Sequence, residues 1–180
     1  MSTLLPLPAG ATIRPMDAAD IGPVAELARR IWQATYPGII TQGQIDYMLA
    51  QRYNATVLAE ELGRGDVAWD VLWRDGARIG FASTLFSPEG DEAKLDKLYL
   101  DPDHQRGGLG GALIAHVAER AAARGCQTLV LAVNKHNAPA IGAYRKHGFA
   151  VRESVTKDIG NGFVMDDFIM VRNLSSTTPR

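Results

Sequence analysis

The segment LYLDPDHQRGGLGGAL, residues 98–113, carries the strongest structural signal in this sequence. A strand-like apolar stretch leads into four glycines, and an amphipathic helix starts directly after them. Glycine lets a backbone approach a ligand closely, and the first turn of a helix offers unpaired N–H groups at the positive end of its dipole. The junction therefore predicts an anion site that suits phosphate. The alternative is a loop that only needs flexible residues, and Arg106 beside the glycines favours the anion site.

The spacing of the glycines excludes the two usual nucleotide-binding loops. A dinucleotide-binding GxGxxG pattern would need glycine where Leu113 stands, three residues after Gly110. A phosphate-binding GxxxxGKS/T pattern would need glycine where Ala112 stands, five residues after Gly107. The predicted phosphate site therefore belongs to a loop of another type.

Outward from this junction, alternating and 3.6-residue apolar patterns divide the chain into strands and helices. Predicted strands cover residues 11–14, 67–73, 78–86, 93–100, 128–133, 149–156 and 163–172. Predicted helices run from residue 17 or 20 to 34, through the stretch from 41 to 63, from 109 to about 125, and from 137 to 148. The order predicts a mixed sheet with helices on its faces, an α/β or α+β architecture, and leaves the strand order open.

Three local signals support these boundaries. Thr41 followed by Gln44 has the spacing of a capping box, so a helix should start there. Asp75-Gly76 is a strong two-residue hairpin turn between two strands. Asn137 should cap the helix that follows it, because an asparagine side chain accepts hydrogen bonds from a first helical turn.

Composition and charge bound the class of protein. The 180 residues are 46% hydrophobic and carry a formal net charge of -1, so no global basic field indicates nucleic acid. Cys126 is the single cysteine, which excludes a disulfide framework and CxxC metal sites; we interpret it as a small buried residue. The N-terminus lacks the basic segment of a signal peptide, and no apolar run approaches the roughly 18 residues of a membrane span. We therefore expect a cytoplasmic protein without a membrane partner.

The domain organisation that these patterns predict is simple. Residues 1–9 and 174–180 are expected to be flexible ends, and residues 10–173 are expected to form a single domain. No linker, repeat or low-complexity block interrupts that span. A chain of this length buries roughly 70% of its unfolded surface, which is enough for a hydrophobic core.

Two motifs, in this order, resemble those of a known enzyme family. Gln105-x-x-Gly108-x-Gly110 matches the Q/R-x-x-G-x-G/A loop of the GCN5-related N-acetyltransferases, the GNAT superfamily. One strand later, the match continues as Val133-x-x-x-Asn137-x-x-Ala140-x-x-x-Tyr144-x-x-x-Gly148-Phe149. The resemblance is clearest over residues 92–150. It implies the GNAT fold, a central, mostly antiparallel sheet flanked by helices.

The resemblance implies acetyl-CoA as the co-substrate, with no metal. Backbone N–H groups of the loop would hold its pyrophosphate; the loop consists of Gln105, Arg106, Gly107, Gly108, Leu109, Gly110 and Gly111. The strand that ends in Leu98, Tyr99 and Leu100 would bond the pantetheine arm and polarise the thioester carbonyl. Asn137 would contact the pantetheine or an ordered water, which is compatible with its role as a helix cap. For Arg106 a solvated surface position is the alternative.

Acetyl transfer to an amine benefits from a proton acceptor for the amine and a proton donor for the departing thiolate. Tyr144 lies where the family has its usual general acid; its alternative is a half-buried packing residue. Lys94 occupies the position where histone-type members most often carry the base, which excludes a base there. Asp96 lies where spermidine/spermine acetyltransferases carry a glutamate, and strand alternation predicts that it shares a face with Leu98. The alternative for Asp96 is a strand charge paired with Lys94 or Lys97.

The acceptor is expected to be a small amine, with a polyamine as the first choice. In the family, acceptor contacts come from the first helices and the last strands, where this chain has Trp32, Tyr36, Tyr47, Tyr53, Asp166 and Asp167. Segments 95–100 and 167–170 are similar to those of bacterial polyamine acetyltransferases of the PaiA type. A protein α-amine or an aminoglycoside stays open as the acceptor.

Histidine spacing and nucleophile motifs bear on the mechanism. No metal-ligand spacing relates the four histidines, which are His104, His116, His136 and His147. Because a GxSxG elbow is also absent, direct transfer in a ternary complex is favoured over an acyl-enzyme. A homodimer is compatible with the family. Two other classes stay open: an acyl-CoA sensor without turnover, which the complete second motif argues against, and a binding module for another anionic nucleotide.

Overall fold

Residues 6–174 are described by the computed structural model of this chain. Seven strands lie in this part of the chain: β1 (Ala11–Pro15), β2 (Val67–Arg74), β3 (Ala77–Phe86), β4 (Glu92–Leu100), β5 (Thr128–Asn134), β6 (Ala150–Gly160) and β7 (Phe163–Asn173). Five α-helices accompany them: α1 (Ile21–Thr35), α2 (Gln42–Arg52), α3 (Ala55–Leu62), α4 (Leu109–Ala123) and α5 (Ala138–Lys146). The sequence predicts flexible ends at residues 1–9 and 174–180. Of these, residues 1–5 and 175–180 lie outside the described part of the chain.

One sheet contains all the strands of residues 6–174, in the order β1-β2-β3-β4-β5-β7-β6. Every neighbouring pair is antiparallel except β4 and β5, which run parallel. The chain crosses over through α4 between these two strands, because parallel neighbours cannot be joined by a tight turn. The predicted fold class, a mixed and mostly antiparallel sheet flanked by helices, is confirmed.

The three local signals behave as predicted. Thr41 Oγ1 accepts a hydrogen bond at 3.2 Å from a backbone N–H in the first turn of α2. Asp75 and Gly76 have φ angles of 49° and 79°, as the tight turn between β2 and β3 requires. Asn137 Oδ1 accepts a hydrogen bond from the Ala140 N–H at 3.4 Å and caps α5. Side-chain capping and turn chemistry are therefore legible in this sequence.

The predicted helical stretch from residue 41 to 63 consists of two helices, α2 and α3, although the apolar pattern shows no break between them. α2 ends at Arg52, and Asn54 starts α3 by accepting a hydrogen bond from the Val57 N–H at 2.9 Å. The Asn54 amide also donates to the Ala50 carbonyl at 2.7 Å, so one side chain closes the first helix and caps the second. The division leaves Arg52 at a helix end beside β4.

β6 and β7 form a longer hairpin than the sequence predicts. β6 continues beyond its predicted end because the hairpin tip packs on α2. The Tyr47 hydroxyl donates to the Ile159 carbonyl at 2.7 Å, and the Tyr47 ring lies 5.3 Å from that of Phe163. Gln44 Nε2 donates to a β7 carbonyl at 2.8 Å. These contacts join distant parts of the chain, so local periodicity cannot indicate them.

The sheet separates two hydrophobic layers, which we call front and back. The front layer holds α1, α2 and α3, and its buried residues include Trp32, Tyr36, Ile45, Tyr53 and Phe81. The back layer holds α4 and α5, and its buried residues include Leu113, Val117, Leu129, Leu131 and Phe149. Cys126 lies in the back layer and is 9% exposed, as expected of a small buried residue. No helix in residues 6–174 is long and apolar enough to span a membrane.

Candidate active site

β4 and β5 separate soon after they begin. They pair over three residue positions, of which the last joins Lys94 and Val130. Both strands then continue, each still paired on its other side with β3 or β7. We call the gap between residues 95–100 of β4 and residues 131–134 of β5 the cleft. Along the cleft the facing backbone groups have no strand partner among residues 6–174, so they can bond an extended ligand.

A β-bulge interrupts β4 where the cleft begins. Consecutive β3 residues lie opposite Lys97 and Leu95, which leaves Asp96 as the extra residue. Leu95 and Leu98 pack in the back layer, whereas the Lys97 ammonium lies over aromatic rings of the front layer. The prediction that Asp96 shares a face with Leu98 is therefore wrong. The bulge resets the alternation, so that Asp96 and Lys97 both face the front layer.

Three cations surround the Asp96 carboxylate, whose side chain is 7% exposed. Its oxygens lie 2.6 Å from Arg52 Nη2, 2.9 Å from Lys97 Nζ and 3.3 Å from Lys94 Nζ. Burial alone would raise the pKa of Asp96, but the charges of Arg52, Lys97 and Lys94 outweigh burial and hold that pKa well below its usual range. The geometry thus favours the ion-pair alternative for Asp96, with pairing to both lysines and to an arginine that the sequence did not indicate.

Further buried charges, which the sequence did not indicate, lie beside Asp96. The Lys97 side chain is fully buried, and its Nζ lies 3.1 Å from Glu61 Oε1. Glu61 in turn accepts a hydrogen bond from Trp69 Nε1 at 2.9 Å. We call Arg52, Glu61, Asp96 and Lys97 the β4 charge network. It connects α2 and α3 to the bulge of β4, and thus to one wall of the cleft.

The glycine loop between β4 and α4 is open to a ligand. Gly108 is the N-cap residue of α4, with a φ of 77° and no side-chain capping bond. A Cβ built at Gly107, Gly108 or Gly110 would meet no atom within 4 Å. Gln105 Nε2 donates to the Leu100 carbonyl at 3.3 Å, which ties the loop to the end of β4. Arg106 is exposed and has a φ of 72°, so both a ligand contact and a solvated position are sterically available to it.

Two other residues of the predicted loop have packing roles. Leu109 is fully buried against Leu72 and Ile79, which anchors the start of α4 to the sheet. A Cβ at Gly111 would lie 2.5 Å from the His147 ring, so glycine is needed for α4 to approach the end of α5. Their backbone N–H groups belong to the uncapped first turn of α4, where they have no intrahelical acceptor. Their contact with a phosphate stays a prediction.

The second motif runs from the end of β5 through α5. Asn137 is 9% exposed, and its side chain caps α5 as described above. Tyr144 is half-buried, with its ring 5.7 Å from that of Phe149. Burial raises the pKa of the Tyr144 phenol to about 12, so the hydroxyl keeps its proton near neutral pH. Tyr144 therefore offers a protonated hydroxyl on α5, the helix that follows β5 in the chain.

The aromatic residues that the sequence indicated near the acceptor belong mostly to the core of the front layer. Trp32, Tyr36 and Tyr53, which the sequence indicated near the acceptor, are buried in the front layer. The Tyr36 and Tyr99 hydroxyls lie 3.0 Å apart, so Tyr99 packs its side chain forward while its backbone belongs to the cleft wall. Tyr47 holds the β6–β7 hairpin instead. A cavity of about 400 Å³ lies between the α1–α2 connection, the end of β5 and β7; its polar lining residues are Thr41, Gln44, Asn134, His136 and Asp166.

Asp166 and Asp167, adjacent on β7, have different surroundings. Lys135 forms an ion pair with Asp166, and Thr156 Oγ1 donates to it at 3.1 Å. Both bonds lower the pKa of Asp166, and the bond from Lys135 has the larger effect. Asp167 lies opposite Asn134 at the end of β5 and is 8% exposed. Burial, followed by the charge of Asp166, raises the pKa of the Asp167 carboxyl.

No group of three His, Cys, Asp or Glu side chains in residues 6–174 is arranged to hold a metal ion. The described histidines instead have separate neighbours. His147 packs against Gly111, and His116 lies 3.2 Å from Asp70, which Arg120 also binds. His136 lines the cavity.

Comparison with known proteins identifies the family. The model of the acetyltransferase (GNAT) family matches residues 26–149, and this chain belongs to that family. The chain is 27% identical over 158 residues to the spermidine N(1)-acetyltransferase of Thermoplasma acidophilum, covering 86% of this chain and 94% of that protein. It is 48% identical over 78 residues to the [ribosomal protein bS18]-alanine N-acetyltransferase of Escherichia coli K12, covering 43% of this chain and 51% of that protein.

A solved structure agrees over nearly the whole chain. The PaiA N-acetyltransferase of Thermoplasma acidophilum, solved in complex with coenzyme A, superposes with a TM-score of 0.79 at 26% identity. The match covers 91% of this chain and 98% of that one. The predicted family, with its weaker likeness to PaiA-type enzymes, and the predicted class of acetyl-CoA-dependent N-acetyltransferase are confirmed.

Proposed function

We propose that this protein transfers the acetyl group of acetyl-CoA directly to a small primary amine within a ternary complex. The cleft between β4 and β5 is the observation that carries the proposal. It opens the sheet next to a loop suited to an anion, so an extended ligand held by that loop can run into it. The cytoplasm is the expected location.

The residues around the cleft fit acetyl-CoA. Bound there, acetyl-CoA would supply an activated acetyl group with a thiolate as leaving group. Backbone N–H groups of residues 105–111 would hold the pyrophosphate, because the start of α4 is uncapped and the glycines leave space. The unpaired edge at Leu98, Tyr99 and Leu100 would bond the pantetheine amides. Asn137, whose Oδ1 is used by its cap, has its amide nitrogen left for the pantetheine or a water.

Tyr144 is the proposed general acid. Its raised pKa of about 12 means that the phenol is protonated at neutral pH and ready to donate. A proton supplied from the hydroxyl to the departing sulfur would prevent a free thiolate from re-attacking. General acids of this kind accelerate reactions by roughly 100- to 10,000-fold.

Direct transfer is supported by the position of the single cysteine. Cys126 is buried in the back layer after the end of α4. Burial raises the pKa of its thiol, which lowers the thiolate fraction. We therefore propose that the amine attacks the acetyl carbonyl itself.

The cavity beside the cleft suits a small amine. Its volume of about 400 Å³ lies within the range of small-molecule sites, and Asp166 gives it an acidic group. Relatives with matching sequence act, by their names, on spermidine and on an alanine of ribosomal protein bS18. We propose a polyamine as the first acceptor class to test, because a relative that matches over 86% of this chain and 94% of its own length is a spermidine enzyme. A protein α-amine and an aminoglycoside are the next classes.

A thiol-release assay tests the proposed function. The protein is incubated with acetyl-CoA and one amine at a time: spermidine, spermine, a peptide with N-terminal alanine, and an aminoglycoside. Free thiol is recorded against an amine-free control, and the acetylated product is identified by mass. We expect release to exceed the control with at least one amine.

Three outcomes separate the candidate functions. Amine-dependent thiol release supports the enzyme and identifies the acceptor class. Binding of acetyl-CoA without release for any amine would favour an acyl-CoA sensor. A stabilising effect of ATP that acetyl-CoA does not compete away would favour a module for another nucleotide.

A further inference from the structure

We propose that Asp167, not Asp96, is the general base that receives the proton of the acceptor amine. The inference rests on the proposed function, since it assigns a role within the same acetyl transfer. Asp167 comes from β7, so the base and the acetyl-CoA loop would lie on different parts of the sheet.

The first observation is an unsatisfied carboxylate oxygen. Asp167 is 8% exposed, and its Oδ1 is buried without a hydrogen-bond partner among residues 6–174. A buried polar atom without a partner costs free energy that the fold does not recover elsewhere. An oxygen in this state has hydrogen-bonding capacity that none of residues 6–174 uses, and an ammonium group matches it in charge.

The second observation is the position of Asp167. Asp167 pairs with Asn134, the last residue of β5. Asn134 also lines the 400 Å³ cavity proposed for the acceptor. The Asp167 backbone therefore lies directly beside a residue of the cavity lining, at the end of β5 where the cleft ends.

The third observation is the contrast with Asp96. Asp96 forms ion pairs with Arg52, Lys94 and Lys97 and has a strongly lowered pKa, so it is a weak base. Asp167 has no ion pair within the described residues, and burial raises its pKa. The charged and titratable groups around Asp167 are Asp166 on β7, Lys94 on β4, Lys135 after β5, Arg52 on α2 and Tyr36 after α1. Because base strength rises with pKa, Asp167 is the better proton acceptor of the two.

The proposed step conserves protons and electron pairs. A substrate ammonium gives one N–H proton to an Asp167 oxygen, and the freed nitrogen pair forms the C–N bond to the acetyl carbon. The C–S bond breaks with its electron pair on sulfur, which takes the Tyr144 proton. The second proton of the attacking nitrogen restores Tyr144 through solvent, and Asp167 returns its proton to solvent. One proton is released per turnover when the amine enters protonated.

Asp167→Asn is the direct test, because it keeps the shape and removes the base. Near pH 7 we expect kcat to fall by about 100-fold, the lower end of the range for acid–base catalysis. The deficit should shrink at alkaline pH, where more of the amine is already unprotonated. Acetyl-CoA should still raise the melting temperature as it does for the wild type. Asp167→Glu, which restores a carboxylate, should recover part of the rate at neutral pH.

Stability adds a readout that a structural role would not give. The folded-state pKa of Asp167 is raised, so its charged form destabilises the fold at pH values above its ordinary value of 3.8. Asp167→Asn should therefore be at least as stable as the wild type near pH 7 while it loses activity. Glu153→Gln, an exposed carboxylate on the neighbouring strand β6, is the matched control and should keep the wild-type rate.

The outcomes are distinct. An Asp167→Asn variant with wild-type kcat and pH profile overturns this inference and leaves the proposed function intact. A loss of kcat that is equal at all pH values, or that comes with a lower melting temperature, also overturns it in favour of a structural role. A wild-type protein that releases no thiol with any amine overturns the proposed function and this inference together.

Discussion

Two aspartates lie on either side of the cleft, one on β4 and one on β7 behind β5, and the difference between them decides what each can do. On β4, Asp96 binds Arg52, Lys94 and Lys97, and these cations hold its pKa low. On β7, Asp167 is buried without an ion pair in the described part of the chain, and its pKa is raised. A carboxylate at a cleft is thus a structural clamp or a base according to the cations beside it, not according to its strand position alone.

The proposed roles of Asp167 and Tyr144 both require that acetyl-CoA is bound at the glycine loop. Gly110→Val tests this binding and has the largest expected effect. We expect loss of acetyl-CoA binding, because a side chain there would fill the open space over the start of α4. Acetyl-CoA at about 100 times its dissociation constant should stabilise the wild type by about 2.7 kcal/mol, and this thermal shift should vanish in the variant.

Gly22→Val is the matched control for Gly110→Val. Both glycines are the second residue of their helix, and a Cβ at either meets no atom within 4 Å. The control should keep the acetyl-CoA shift. An unchanged affinity in Gly110→Val would refute the pyrophosphate assignment. Gly108 is a poorer site for this test, since its φ of 77° would strain any other residue.

Lys97→Met sharpens the comparison by removing the centre of the β4 charge network. The change leaves Glu61 and Asp96 with one cation fewer in a buried position. Breaking a buried ion pair from one side costs about 3–5 kcal/mol, so urea unfolding should show a loss of that size. Lys157→Met, at an exposed position of β6, should change the free energy of unfolding little. Equal stability of the two variants would show that the network is not a clamp.

Tyr144→Phe tests the proposed general acid, which would protonate the departing thiolate. Phenylalanine keeps the ring and its packing on Phe149, so stability and acetyl-CoA affinity should change little. We expect kcat to fall by about 100-fold, which corresponds to about 2.7 kcal/mol of lost transition-state stabilisation. Near wild-type turnover, under conditions where chemistry limits the rate, would leave Tyr144 as a packing residue and assign protonation of the thiolate to water.

The pH dependence of stability in Asp96→Asn gives the smallest effect. Because the folded-state pKa of Asp96 is lowered, its stabilisation is complete above its ordinary value of 3.8 and is lost as the pH falls through the folded-state value. The variant should therefore be less stable than the wild type near pH 7, and the gap should narrow as the pH falls below about 4. A gap that is independent of pH would mean that the ion pairs of Asp96 contribute nothing to stability.

Much of the fold and the acetyl-CoA side of the site could be predicted from local sequence. Capping by Thr41 and Asn137, the Asp75-Gly76 turn and the uncapped glycine junction each depend on residues close in sequence. The motif that contains Tyr144 depends on spacing along one strand and one helix. Such features need no knowledge of distant neighbours.

The acid–base side of the site depends on contacts that spacing cannot reveal. The bulge at Asp96 reverses the alternation, and the available signal was the change of apolar residues from odd positions up to 95 to even positions from 98. Arg52 and Glu61 come from helices more than thirty residues away in sequence. Nothing local marks Asp167 as unpaired, because that property is the absence of a neighbour in three dimensions.

The most direct test of the account is to measure kcat near pH 7 and the free energy of unfolding for Asp96→Asn and Asp167→Asn side by side. If the Asp96 ion pairs on β4 only stabilise the fold and β7 carries the base, the two variants should fail in opposite ways. Asp96→Asn should lose stability and keep kcat within about threefold, less than 1 kcal/mol in the barrier. Asp167→Asn should keep its stability and lose about 100-fold in kcat. The reverse pattern, with the larger loss of kcat in Asp96→Asn, would contradict the account and return the role of base to β4.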